Sequence, residues 1–175
     1  GEIMAAIGAG IHLIGENRPQ EVTVKAPGLT RLRSECGMSV GVIGEAGAFN
    51  GAAASGAANG VGDSDSTGAS ANAANHIPFH LIGQLQANKI GKVLPVVDTI
   101  ESVDSIELAE KIARRATMRG ITVGVLLEVN ESGEESKSGC APSHAIDLAQ
   151  RIGAMGGLRL QGLMTIGAHV DDERT

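Results

Sequence analysis

The sequence predicts an α/β chain assembled from strand-then-helix units, with five strands that can all run parallel. Three observations carry this. The phrase His-Leu-Ile-Gly occurs at 12–15 and again at 80–83, each time as a short apolar run that breaks into a polar exit. Two strands of one design point to a fold made by repeating a unit. The run 121–130 puts Val123, Val125, Leu127 and Val129 on one face and Leu126 on the other, as in a parallel strand buried between layers. Stretches of helical period at 104–119 and 142–153 separate such runs. The pattern fits part of a (β/α) barrel or an open doubly wound sheet. A whole barrel takes about 250 residues, so five strands do not close one.

A chain of 175 residues fits one domain, and its 42% hydrophobic content is enough for a core. Phe49 and Phe79 are its only aromatics, so that core must be aliphatic. The formal charge of −6 argues against a nucleic-acid partner. Arg114, Arg115 and Arg119 read as a solvated helix end, where cations suit the dipole. Cys36 and Cys140 lack metal-ligand spacing and suggest no disulfide framework, which makes a reducing cytoplasm the default location. No apolar run approaches the ~18 residues of a membrane span, so no membrane association is expected.

In chain order, Ile3, Ala6 and Ile7 keep helical spacing until Gly8 and Gly10. Residues 11–16 read as a strand with a polar exit at Gly15-Glu16-Asn17. A helix over 20–33 is expected to break at Pro27-Gly28, and 40–43 is a weak strand. Residues 44–75 are different: 26 of the 32 are Gly, Ala, Ser or Asn, with no Lys or Arg. Such a segment cannot bury enough surface to offset its ordering entropy, so a disordered insertion is expected there. It lacks the Gly-Lys-Ser/Thr signature of a phosphate loop.

The stretch 79–89, FHLIGQLQANK, is an apolar run stopping at Gly83 before an amide cluster, Gln84, Gln86 and Asn88. In α/β folds the carboxyl ends of strands carry the chemistry. A short helix over 86–93 ends at Pro95, and 96–103 is a strand. Asp104 with Glu107 reads as a capping box for a helix to about Arg119. Ile106, Ala109, Ile112, Ala113 and Ala116 form its buried stripe, with Glu107–Lys111 and Glu110–Arg114 as pairs on the wet side. Glu128 and Asn130 share one face at the end of the next strand, and are expected to point inward near Asn17 and Gly83. A charged loop, 131–139, leads to a helix opened by Pro142, with Ala145, Ile146, Leu148, Ala149 and Ile152 packing it. Residues 158–166 form the last strand.

Taken together, Gly15-Glu16-Asn17-Arg18 with Gln20-Glu21, the run His80 to Lys89, Ser102-Val103-Asp104-Ser105, Val129-Asn130, Glu134 to Gly139 and Gly162 to Gly167 resemble the pyridoxal-phosphate homeostasis protein family (the YggS/PROSC family). The fold of that family is similar to the amino-terminal barrel of alanine racemase. The resemblance covers nearly everything outside roughly 27–76. It implies a single domain over 1–175, a partial (β/α)8 TIM barrel holding about strands two to six and incomplete at both ends, with 44–75 as its insertion. It implies pyridoxal 5′-phosphate (PLP) as cofactor and a protein that is a monomer when complete. The role implied is cofactor supply and control of reactive aldehyde in the cell, not robust catalysis.

Carried over by position, the resemblance implies cofactor-binding roles for Asn17, His80, Gly83 and Met164, and no catalytic or metal-ligating residue. Lys137 matches a loop lysine expected to be peripheral. Plainer readings stand beside these: His80 as a hydrogen-bonded core histidine, and Met164 as filler of the barrel interior. The family's imine-forming lysine and its phosphate loop have no counterpart in the sequence, so the chain is expected to be an internal stretch of a family member. Phe79 stands where the family usually has Trp. A racemase-like enzyme is the alternative. It would need acid/base groups on both faces of the cofactor, commonly a lysine and a tyrosine, and the chain has no tyrosine.

Overall fold

A computed structural model of the chain describes residues 2–41, 76–134 and 136–167. The expected disordered insertion, 44–75, lies outside the described residues. The elements in order are α1 (Glu2–Gly8), β1 (Ile14–Glu16), α2 (Pro19–Cys36), β2 (Ser39–Val40), β3 (His76–Ile77) and β4 (Phe79–Leu81). A 3-10 turn (Ala87–Lys89) then runs into α3 (Ile90–Val93). They continue with β5 (Thr99–Val103), α4 (Ile106–Met118), β6 (Val123–Glu128), a 3-10 turn (Pro142–His144), α5 (Ala145–Gly153) and β7 (Leu158–Met164).

Five strands form one sheet in the order β1-β4-β5-β6-β7, every pair parallel. β2 and β3 form a second, two-stranded parallel sheet. The five parallel strands and their alternating helices are as the sequence predicts.

Side-chain alternation sorts the sheet into two faces. Phe79, Leu81, Ile100, Val123, Val125 and Leu127 are buried toward the helices. α4 buries Leu108, Ala109, Ile112, Ala113 and Ala116 against them, close to the predicted stripe. Ile112 is fully enclosed; removing such a side chain from water is worth about 2–3 kcal/mol. Gly120, at φ 67°, ends this helix in the left-handed conformation that a glycine adopts without strain.

The opposite face carries a polar layer. His80 Nδ1 lies 2.6 Å from Glu101 Oε1. Thr99 Oγ1 donates to Gln161 Oε1 at 3.0 Å, reaching over Gly124 on the strand between them. In β7 two residues, Gln161 and Gly162, stand where β6 advances by one, between Val125↔Leu160 and Leu126↔Gly162. This bulge shifts the alternation of the strand end.

Several expectations need correction. α2 runs through Pro27 without breaking. Proline inside a helix removes one backbone bond and costs about 3 kcal/mol, but Val22 and Leu29 on either side of it are both buried, and tertiary packing holds the two halves in line. β1 is three residues long, not six, and Ile11 and Leu13 before it are exposed. The N-cap of α4 is Ser105, not Asp104, and no side chain caps it; the Ser105 hydroxyl donates to Asp104 Oδ1 instead. Ile146 does not pack but is 76% exposed. Among the described residues the helical i,i+4 ion pair is Asp147–Arg151, at 3.8 Å, not Glu107–Lys111 or Glu110–Arg114.

Candidate functional site

The carboxyl ends of β1, β4, β6 and β7 surround an open cleft of about 160 Å³. Its walls are Asn17 after β1; Ile82, Gly83 and Gln84 after β4; Glu128 at the end of β6; Lys137 and Ser138 from the following loop; and Ile166 after β7. Parallel strands bring these positions together because all their chain exits lie on one side of the sheet.

The β1 and β4 exits touch through Gly83. A Cβ built on Gly83 would stand 1.6 Å from the Asn17 carbonyl oxygen and 2.7 Å from its Oδ1. The Ile82 amide donates to the Glu16 carbonyl at 2.9 Å, and the Ser102 hydroxyl donates to the Gly83 carbonyl at 2.8 Å. Three strand exits, from β1, β4 and β5, are thereby locked. Behind them Glu16 is buried, accepting from the Arg18 amide and from Lys25. Burial works to raise its pKa, but the hydrogen bonds and charge of Lys25, with the Arg18 and Asn17 amides, bring it below the usual carboxylate range.

Glu128 is the buried carboxyl of the cleft, 5% exposed. Burial first, and then the negative charge of Asp104, push its pKa up. This carboxyl is therefore more readily protonated than an exposed glutamate, and once protonated it can donate a hydrogen bond.

The loop after β6 closes the far side. Asn130 Nδ2 donates to the carbonyls of Glu134 (2.8 Å) and Lys137 (3.4 Å), and its Oδ1 accepts from the Gly133 amide (3.1 Å) and the Ser132 hydroxyl (2.9 Å). Lys137 Nζ bonds the Gly167 carbonyl at 2.7 Å and pairs with Glu134 at 3.2 Å. Gln84 donates to Ser138 at 2.9 Å, tying the loop to the β4 exit.

The expected inward cluster is thus brought together for Asn17, Gly83 and Glu128. Asn130 is the exception: it belongs to the same end but spends its amide on its own loop. Of the other predicted site residues, His80 stays one layer beneath the cleft, bonded to Glu101. Met164 pairs in register with Glu128, on the inward face, yet neither it nor His80 is among the cleft's walls. Lys137, expected at the periphery, is a wall of the cleft. Ser102 and Ser138 fall within stretches that carry the family resemblance, but neither was assigned a role from the sequence, where a lone serine carries no chemical signal. Among the described residues no group of His, Cys, Asp or Glu could hold a metal ion, and no helix is long and apolar enough to cross a membrane.

Residues 38–175 match the family model "Alanine racemase, N-terminal domain". The chain belongs to this family. A relative from Helicobacter pylori (strain 26695) named pyridoxal phosphate homeostasis protein is 44% identical over 103 residues, covering 57% of this chain and 46% of its own length. The resemblance read from the motifs is therefore borne out. A crystal structure of an unknown protein from Bifidobacterium adolescentis is similar over 99% of this chain and 57% of that one, with 65% identity and a TM-score of 0.76. PipY of Synechococcus elongatus PCC7942, solved without PLP, is 26% identical over 94% of this chain and 57% of its own, with a TM-score of 0.65. The family match and these similar structures make the five-stranded parallel sheet part of a (β/α) TIM barrel. The chain spans about half the length of the curated relatives it matches.

Proposed function

We propose that the chain forms the ring-facing part of a pyridoxal 5′-phosphate site in a protein of cofactor homeostasis, and not the centre of a catalyst. The observation that carries the reading is the convergence of Asn17, Gly83 and Glu128 at one cleft, in a chain 44% identical to a protein named for pyridoxal phosphate homeostasis. When bound, the cofactor supplies an electrophilic aldehyde and an electron-accepting ring.

The residues fit the ring better than they fit the rest of the group. Asn17 and Gln84 offer amides and Glu128 a protonatable carboxyl. The lysine in the cleft wall, Lys137, already bonds Gly167 and Glu134. An amine held as a charged donor is a poor nucleophile. Lys25 is likewise engaged, by Glu16. The cleft, at about 160 Å³, is also smaller than the ~300 Å³ at which ligand sites begin. The chain should therefore hold PLP weakly and without covalent capture.

The test is a PLP titration followed by absorbance, then reduction with borohydride and mass mapping of modified lysines. Saturable binding weakened several-fold by Asn17→Ala, with only scattered substoichiometric labels, is expected. Binding indifferent to Asn17→Ala would remove the cleft from the site. Stoichiometric labelling of one lysine would overturn the non-covalent reading.

A further inference from the structure

At the other end of the sheet a second constellation stands apart from the cleft and is independent of the PLP reading. We propose that Ser39, His76 and Asp98 form a base-activated nucleophile, with Ser39 as an acceptor for acyl groups from small activated esters.

The three residues meet for reasons of topology. The parallel pairing of β2 with β3 sets Ser39 directly opposite His76. Asp98 precedes β5, beside Phe79, the first residue of β4, so the group lies at the amino ends of the strands. Ser39 Oγ is 2.9 Å from His76 Nδ1, and His76 Nε2 is 3.1 Å from Asp98 Oδ1. The second carboxylate oxygen of Asp98 accepts from the Phe79 amide at 2.8 Å. The Asp98 backbone is fixed as well: its amide donates to the Phe79 carbonyl, and its carbonyl accepts from the Gly124 amide, both at 2.9 Å.

With the imidazole neutral and Asp98 ionised, these contacts run in one direction. An ionised carboxylate only accepts, so His76 Nε2 must carry the proton it shares with Asp98. In the neutral imidazole Nδ1 is then an acceptor, and the Ser39 hydroxyl must donate to it. A nucleophile bonded to a base that is oriented by a third group is the arrangement that activates serine. Burial is graded: Asp98 is 7% exposed, while Ser39 and His76 are half-buried. The ring is wired in the opposite sense to the familiar serine hydrolases, with the serine on Nδ1 and the acid on Nε2. The proton logic is the same.

With p-nitrophenyl acetate, Ser39 Oγ forms a bond to the carbonyl carbon while His76 Nδ1 takes the hydroxyl proton. The bond to the p-nitrophenyl oxygen then breaks, p-nitrophenolate departs with the electron pair, and the imidazolium returns its proton to water. The result is O-acetyl-Ser39.

The experiment is to treat the chain with p-nitrophenyl acetate, and separately with a fluorophosphonate, and to time the adducts on each serine by mass spectrometry. Ser143, an exposed serine, is the internal reference. General-base assistance is worth about 10²–10⁴, so Ser39 should be modified about 100-fold faster than Ser143, and His76→Gln should lose that advantage. Equal rates at Ser39 and Ser143, or an undiminished Ser39 rate in His76→Gln, would overturn the proposal. Should His76→Gln lose its native circular dichroism, the ratio of Ser39 to Ser143 in the unaltered chain decides alone.

Discussion

Replacing Gly83 by alanine tests the geometry of the cleft most directly. The new Cβ would fall 1.6 Å from the Asn17 carbonyl oxygen and 2.5 Å from its carbon. Non-bonded heavy atoms rest at roughly 3.5 Å, so the β1 and β4 exits must separate by about 1.5–2 Å. The obstructing atoms are backbone, and no rotamer change can clear them. Gly83 cannot retreat easily either, because the Ser102 hydroxyl holds its carbonyl. Overpacking costs about 1–3 kcal/mol where side chains can adjust, and here the upper end is expected, about 3 kcal/mol. With a urea slope of about 2 kcal/mol/M, the unfolding midpoint should drop by about 1.5 M. Gly153→Ala is the control. Its added methyl meets nothing within 4 Å at the end of α5, and a helical Gly→Ala exchange should gain about 0.5–1 kcal/mol. A Gly83→Ala midpoint within 0.3 M of the unaltered chain would refute the contact between the two exits, and with it the described cleft.

Glu128 has a raised pKa when folded. Its contribution is therefore full below the unfolded value, about 4.3, and is lost as pH rises through the folded value. Glu128→Gln should thus match the unaltered chain in thermal stability near pH 4 and exceed it at pH 7–8; a constant difference across that range would count against the burial of this carboxyl. Pro27 is exposed within α2, so Pro27→Ala restores a backbone bond at no packing cost and should stabilise by about 1–3 kcal/mol, read as a higher melting temperature. Ile112→Ala should cost about 2–5 kcal/mol by leaving a cavity under α4, and a change under 1 kcal/mol would contradict its full burial.

The strands were legible because burial on two faces writes near-continuous apolar runs, as in 123–129, and α4 because its stripe repeats at helical spacing. The part of the site that was legible consists of residues at strand ends: Asn17, Gly83 and Glu128. What escaped depends on contacts between distant residues. The passage of α2 through Pro27 is decided by Val22 and Leu29 packing, which local propensity does not contain. Asn130 has the parity of an inward residue, but its amide is captured by its own loop, whose turns it completes. Ile146 was expected to pack because of its neighbours' period, yet it lies on the exposed side of α5. Ser39, His76 and Asp98 are separated by 37 and 22 residues, with no motif to join them.

The bulge in β7 works as a phase shifter. Upstream of it Leu160 pairs with Val125 and follows the helix-facing rhythm; downstream Met164 pairs with Glu128 at the cleft end. Delete Gln161 and the ladder becomes regular with the exit unmoved; add a single codon after Gly162 instead, and the amino acids of the exit would keep their order but exchange sides. Leu163 would swing toward the carboxyl of Glu128 and the thioether of Met164 would turn away from it. The bulge thus absorbs the loss of one residue, whereas one residue added past it changes which side chain of the β7 exit stands opposite Glu128.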